Sequence, residues 1–163
     1  MRIDPAFWGL YEQEFRPVFR TVFLLCRDAH AAEEATQEAF VRAWERWDRL
    51  RDRPWAAGWV TTTAMNLARR ALRRRTLPPR DADPLGPDAE AGLDLWRAVA
   101  GLPLRQQQAV VLHYRVGLPT AGVASAMRCG ETTVRAYLAR ARATLRAQLE
   151  EDIDGSRPNL RAP

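Results

Sequence analysis

The stretch Thr120-Ala121-Gly122-Val123-Ala124-Ser125-Ala126-Met127-Arg128-Cys129-Gly130-Glu131-Thr132-Thr133-Val134-Arg135-Ala136-Tyr137-Leu138-Ala139-Arg140-Ala141-Arg142 decides the fold. Its first part predicts a short helix near Pro119–Met127, and after about three residues a longer one runs from Glu131 to Glu150. Val134, Leu138, Ala141, Leu145 and Leu149 recur at helical spacing and make an apolar stripe along the longer helix. Short helix, tight turn and longer Arg-rich helix is the helix-turn-helix arrangement, whose second helix offers its N-terminal side chains to the major groove of DNA. With the stripe inward, Thr132, Arg135, Ala136 and Ala139 share the outer face. Arg135 is the candidate for a base edge, because its guanidinium matches guanine O6 and N7. Arg140 and Arg142 suit phosphates. A solvated helix in a plain bundle is the alternative. Arg128 occupies the turn, where glycine adopts a left-handed backbone most easily.

Upstream, a helix over Leu93–Ala100 ends at Gly101. Another begins at Pro103, reaches about Arg115 and stops at Gly117. The segment Leu77-Pro78-Pro79-Arg80-Asp81-Ala82-Asp83-Pro84-Leu85-Gly86-Pro87 holds four prolines, which remove backbone donors and restrict the residues before them. It predicts a flexible acidic linker over residues 77–93 between two small helical domains, 1–76 and 94–150, with a frayed polar tail at 151–163. The N-terminal half is helical too. Trp8, Tyr11 and Phe15 recur at helical spacing before Pro17, which suits the first turn of a new helix. A second helix spans Ala31 to Leu50 and a third Trp55 to Arg75. The fold class is all-α: two small helical domains joined by a Pro/Asp-rich linker, the second with a helix-turn-helix.

Charge is distributed unevenly. All 25 basic residues are Arg. Residues 1–52 carry eight Arg and ten acids, a net of −2, whereas 53–80 carry seven Arg and no acid. Residues 81–94 carry five acids and no Arg, and 95–149 carry eight Arg and one acid. Two basic blocks separated by an acidic strip predict two polyanion-binding surfaces; codon choice in a high-GC genome would equally favour Arg over Lys. No apolar run approaches a membrane span, no secretory leader is evident, and Cys26 and Cys129 fit no metal or redox spacing, so a reducing cytoplasm is expected.

On the third helix, Thr62, Asn66, Arg69, Arg70 and Arg73 recur at helical spacing as one polar face, with Trp55 and Trp59 near its start. Arginines neutralise phosphates, aromatic rings stack on exposed bases, and an amide reads a base edge. Core tryptophans with a solvated face fit these residues equally well. The second helix presents Glu34, Gln37, Glu38, Val41 and Glu45 as an acidic face with an apolar centre, suited to a basic protein partner or simply to water. Enzymatic readings fare poorly. Glu33, Glu34 and Glu38 have no His or Asp at ligand spacing, His30 and His113 have no local partner, and no glycine-rich phosphate loop occurs. No catalysis, metal or cofactor is expected.

The run Ala32-Glu33-Glu34-Ala35-Thr36-Gln37-Glu38-Ala39-Phe40 through Arg42-Ala43-Trp44 resembles the core-polymerase-binding helix of bacterial RNA polymerase sigma factors. Trp59 and Asn66, with Asn66-Leu67-Ala68 ahead of an arginine run, resemble the helix that melts and reads the −10 element. Leu102-Pro103 followed by Arg105-Gln106-Gln107-Gln108-Ala109-Val110-Val111-Leu112 is similar to the start of the family's fourth domain. Thr133-Val134-Arg135, Ala139-Arg140-Ala141-Arg142 and Leu145-Arg146 resemble its −35-reading helix. The resemblance covers about residues 5–150, in the compact two-domain form of the extracytoplasmic-function (ECF) group.

It implies that Glu34, Gln37, Glu38 and Phe40, with Val41 and Glu45 on the same face, meet the clamp of the polymerase's largest subunit. Leu50 to Trp55, including Arg51, would hold a flipped −10 base beside Trp59, Thr62, Asn66, Arg69, Arg70 and Arg73. Thr132, Arg135, Ala136, Ala139, Arg140 and Arg142 would meet the −35 element, although Ala136 and Tyr137 stand where the family often has Ser and Arg. The implied partners are core RNA polymerase and promoter DNA, double-stranded and melted, with an anti-sigma factor as a further candidate and no membrane insertion. The competing readings are a polymerase-independent helix-turn-helix regulator and a metal-dependent nuclease.

Overall fold

The computed structural model describes residues 4–74 and 93–155; apart from Leu93, the linker expectation lies outside the described residues, as does the tail beyond Gly155. Asp4 accepts the Ala6 amide at 2.8 Å and starts α1 (Pro5–Cys26), with Pro5 in the first turn. Contrary to the expected break, α1 runs through Pro17. A proline inside a helix costs about 3 kcal/mol, but Phe7 on one side and Val18, Val22 and Phe23 on the other are all buried in the same core, and that packing holds the two halves together. Arg27 closes the helix in a left-handed conformation (φ +54°).

Buried Asp28 caps α2 (Ala29–Glu45) by accepting the Ala31 amide at 2.8 Å. Ala32, Ala35, Ala39 and Ala43 form its inner face, all nearly inaccessible. Such small side chains let the backbone lie close to α4 (Ala56–Arg74), which presents Val60, Ala64 and Ala68. The predicted second helix breaks sooner than expected, at Arg46 (φ −115°, ψ 15°), and a one-turn α3 (Trp47–Leu50) follows. This redirection carries Trp47 edge-on to Phe7, at 5.3 Å between ring centroids, and buries Leu50.

The C-terminal half comprises α5 (Leu93–Ala100), α6 (Leu104–Val110), a π-helical turn (Val111–Arg115), α7 (Thr120–Met127) and α8 (Glu131–Gly155). The expected helix to Arg115 therefore changes pitch at Val111. Gly117 adopts φ +81°, a conformation glycine takes without strain, and His113 Nδ1 lies 2.9 Å from the Leu118 carbonyl across this turn. Arg128 itself adopts the left-handed conformation (φ +54°) between α7 and α8, with the Cys129 amide donating to the Ala124 carbonyl. Val134, Leu138 and Ala141 are buried, whereas Leu149, predicted on the same stripe, is exposed. The helix also continues past Glu150 to Gly155.

The two helical domains pack on each other: α4 meets α7 and the π-helical turn, α1 meets α5, and one buried apolar cluster includes residues of both.

Candidate nucleic-acid and partner interfaces

On α2, Glu34, Gln37, Glu38, Val41 and Glu45 are exposed on one face, as the spacing predicts. Phe40 is buried, packed against Phe7, Tyr11 and Phe15. It is the floor of a groove of about 330 Å³ lined by Phe7, Trp8, Tyr11, Gln37, Phe40, Val41 and Trp44. Trp8 and Val41 stand 47% and 52% exposed at its edges, a large apolar outlay to water for so small a domain. Glu38 pairs with Arg42 at 2.8 Å and Glu34 with His30 at 3.4 Å, so His30 does have a local partner. Trp8 and Tyr11, which the spacing places only on one helix, stack at 5.4 Å and line this groove. Their participation follows from α1 crossing α2 beside Phe40.

The α4 set is divided. Arg69, Arg70 and Arg73 are exposed. Thr62, however, is buried and its hydroxyl donates to the Gly58 carbonyl at 2.9 Å, so it does not belong to an open polar face. Asn66 is half-buried, and its Oδ1 accepts Nε2–H of Gln108 at 2.8 Å. The reason is the C-terminal domain, which covers this side of α4. Trp55 and Trp59 are half-buried against the core, with the Arg46 guanidinium 6.0 Å from the Trp59 ring centroid. Arg51 is exposed and lies 3.9 Å from the Asp4 carboxylate. The Ala6 amide, with Arg51 as a lesser cause, holds the Asp4 carboxyl below its ordinary value.

On α8, Thr132, Arg135, Ala139, Arg140 and Arg142 are exposed and Ala136 half-buried, opposite buried Val134, Leu138 and Ala141. The Arg135 guanidinium pairs with Glu131 one turn earlier at 3.1 Å. Arg142 donates to the Tyr114 hydroxyl at 3.2 Å, a link from the π-helical turn. Among the described residues, no group of three or more His, Cys, Asp or Glu side chains is placed to hold a metal, and no helix is long and apolar enough to cross a membrane.

Comparison with known proteins fits this geometry. The family model for Sigma-70 region 2 matches residues 10–77, and that for Sigma-70, region 4 matches residues 92–145. The chain is 30% identical over 159 residues to the ECF RNA polymerase sigma factor SigL of Mycobacterium tuberculosis, covering 88% of each. It belongs to the ECF RNA polymerase sigma factors. To a probable RNA polymerase sigma factor, RfaY, of Xanthomonas campestris it is 32% identical over 157 residues, 83% of this chain but only 39% of that longer protein. The fold is shared with the sigma factor RpoE of Bartonella quintana, solved with the anti-sigma factor NepR (TM-score 0.66, 19% identity, 88% of this chain and 96% of that one). An ECF sigma factor with regions 2 and 4 in order is a promoter-directing factor, and the polymerase-independent regulator is not favoured. Region 2 contains both α2 and α4, and region 4 contains the helix-turn-helix and most of α8.

Proposed function

We propose that this ECF sigma factor binds core RNA polymerase through the α2 face and its aromatic groove, and brings the enzyme to promoters through α4 and α8. Glu34, Gln37, Glu38, Val41 and Glu45 would meet a basic surface of the clamp, with an apolar side chain seated over Phe40. Arg51, Trp55, Trp59, Asn66, Arg69, Arg70 and Arg73 would hold the −10 element and its melted strand, with buried Thr62 behind them. Thr132, Arg135, Ala136 and Ala139 would meet −35 base edges, and Arg140 and Arg142 the flanking phosphates. On this reading residues 1–76 and 94–150 are the two functional domains, the protein works in the cytoplasm, and it is a binding factor rather than an enzyme. A relative's complex with an anti-sigma factor supports such a partner here as well.

The observation that carries the proposal is the coexistence of two unlike exposed faces on one small chain. The α2 face is acidic and aromatic, which repels nucleic acid and suits a protein, while the outer face of α8 is rich in arginine. Run-off transcription with purified core enzyme, with and without the chain, tests it. Promoter-specific transcripts that depend on the chain are expected; operator binding by the chain alone, with no effect on core enzyme, would overturn it.

A further inference from the structure

The π-helical turn between α6 and the helix-turn-helix carries a large aromatic side chain that lies outside the core. Tyr114 is 57% exposed, although Leu112 and Leu118 on either side of it are buried. The turn beneath it is firmly made. The Val116 amide reaches back five residues to the Val111 carbonyl at 3.0 Å, and the Leu118 amide donates to the Leu112 carbonyl at 3.0 Å. A carbonyl only accepts, so His113 Nδ1, 2.9 Å from the Leu118 oxygen, is the donor of that contact. The imidazole so held stands edge-on to the Tyr114 ring, with 4.8 Å between centroids and 78° between planes. Turns of this π type recur at functional sites.

From this position the Tyr114 hydroxyl accepts Nη1–H of Arg142 at 3.2 Å, a contact between residues 28 apart in the chain. Thr132, Arg135, Ala139 and Arg142 follow one another at three, four and three residues, so they share one side of α8. Arg142 stands about 10 Å beyond Arg135 along the helix axis, at about 1.5 Å per residue. The major groove is about 12 Å wide. With Arg135 on the groove floor, Arg142 therefore stands at the phosphate wall.

We infer that Tyr114 is a positioning residue for the −35 contact, holding the Arg142 guanidinium beside the groove-facing stripe before DNA arrives. The inference rests on the reading of α8 given above. An exposed arginine loses rotamer freedom when a phosphate immobilises it, and a side chain already held loses less. A phenol suits this task because it is neutral. It takes up one Nη1 hydrogen and leaves Nε, Nη2 and the whole positive charge for the phosphate. A carboxylate in the same place, such as Glu131 beside Arg135, would offset that charge. The His113 ring and the π-helical turn restrain the phenol, so the second segment of region 4 reaches the DNA-facing side of α8 through a single hydroxyl.

The test uses holoenzyme and a labelled promoter duplex on which run-off transcription has been obtained. Affinity is measured across a salt series for wild type, Tyr114→Phe, Arg142→Ala and the double variant. The melting midpoint of each free chain and its affinity for core polymerase report on folding. Tyr114→Phe should bind about two- to tenfold more weakly at every salt concentration, with the salt slope unchanged, because the phosphate contact still forms once DNA is bound. Arg142→Ala should lower that slope by about one, and in its background Tyr114→Phe should have no further effect. A Tyr114→Phe protein that binds as wild type does would overturn the positioning role, and so would one whose free chain melts lower, since the hydroxyl would then serve stability. An equal loss with and without Arg142 would also overturn it, making Tyr114 a DNA contact in its own right. If instead Arg142→Ala leaves affinity and salt slope unchanged, the reading of α8 itself fails, and the role of Tyr114 with it.

Discussion

The two long helices that pack most closely in the N-terminal domain, α2 and α4, have the same kind of sequence and opposite fates. Both place alanines on one side and polar residues on the other. On α2 the polar side, Glu34, Gln37, Glu38 and Glu45, stays exposed and frames an aromatic groove. On α4 Thr62 is buried, and Asn66 is half-buried and bonded to Gln108 of the second domain. The difference lies in small details of α4. Gly58 leaves room for Leu118, and the hydroxyls of Thr61, Thr62 and Thr63 each donate to a carbonyl four residues earlier. A helix whose polar groups satisfy themselves can be buried at little cost. Polarity along a helix therefore says which residues avoid their own domain's core, not which ones remain in water.

The comparison breaks most visibly at α2. Glu38→Arg puts a like charge where a basic partner is expected and should lower affinity for core polymerase by about two to three decades. The exposed pair that it also breaks, with Arg42, contributes about 0–1 kcal/mol at most, so the fold should persist. Co-purification with core enzyme across a salt titration measures the effect, and wild-type yield at every salt concentration would remove α2 as the docking face.

A second test sharpens the contrast with α8, which is open like α2 but basic. Arg135→Ala should cost about 1–3 kcal/mol at the preferred −35 sequence and flatten discrimination at one or two base pairs. Arg142→Ala should weaken all promoters alike and reduce the salt dependence by about one phosphate contact. A −35 library read by transcription separates the two. Site-specific effects from Arg142→Ala, or unchanged preferences in Arg135→Ala, would reverse the orientation assigned to the helix.

Smaller effects come from the helix starts that set the groove. Asp28→Ala removes the cap of α2 and should destabilise the fold by about 1–2 kcal/mol, seen as a lower denaturant midpoint. Asp4→Asn should act least, and only through pH. The folded carboxyl titrates below its ordinary value, so its stabilisation is present above the unfolded pKa and is lost as pH falls through the lower folded one. The thermal advantage of wild type over Asp4→Asn should be seen at neutral pH and vanish in acid; an advantage that persists in acid would exclude the carboxylate as its source.

Much of this was legible in the sequence. The apolar stripe of α8 predicts its buried side, with Arg135 and Arg140 outward, because a 3.6-residue period fixes orientation wherever one face meets a core. The acidic face of α2 is legible for the same reason. Pro17 misleads because the cost of a proline is local whereas the packing that offsets it comes from α2 and α4. The break at Arg46 carries no Gly or Pro signal; its cause is the docking of Trp47 on Phe7, a contact between residues forty positions apart in the chain. The exposure of Trp8 was not legible because helical spacing does not tell the last ring inside from the first one outside. Gln108 is hidden in a run of three glutamines, and only the packing of two domains makes it the partner of Asn66.

The Glu131–Arg135 pair has a bearing on selectivity. In the free chain the guanidinium assigned to a base edge is already held by a carboxylate of its own helix at 3.1 Å. DNA that takes up the Nη2 of Arg135 would compete with Glu131, whose carboxylate stays one turn away on the same helix. The penalty is common to every sequence, but only a site offering two acceptors in the right place compensates for it fully. If Arg135 reads a base edge, Glu131 is its internal rival, and the threshold it sets for every site is that of an exposed pair, about 0–1 kcal/mol.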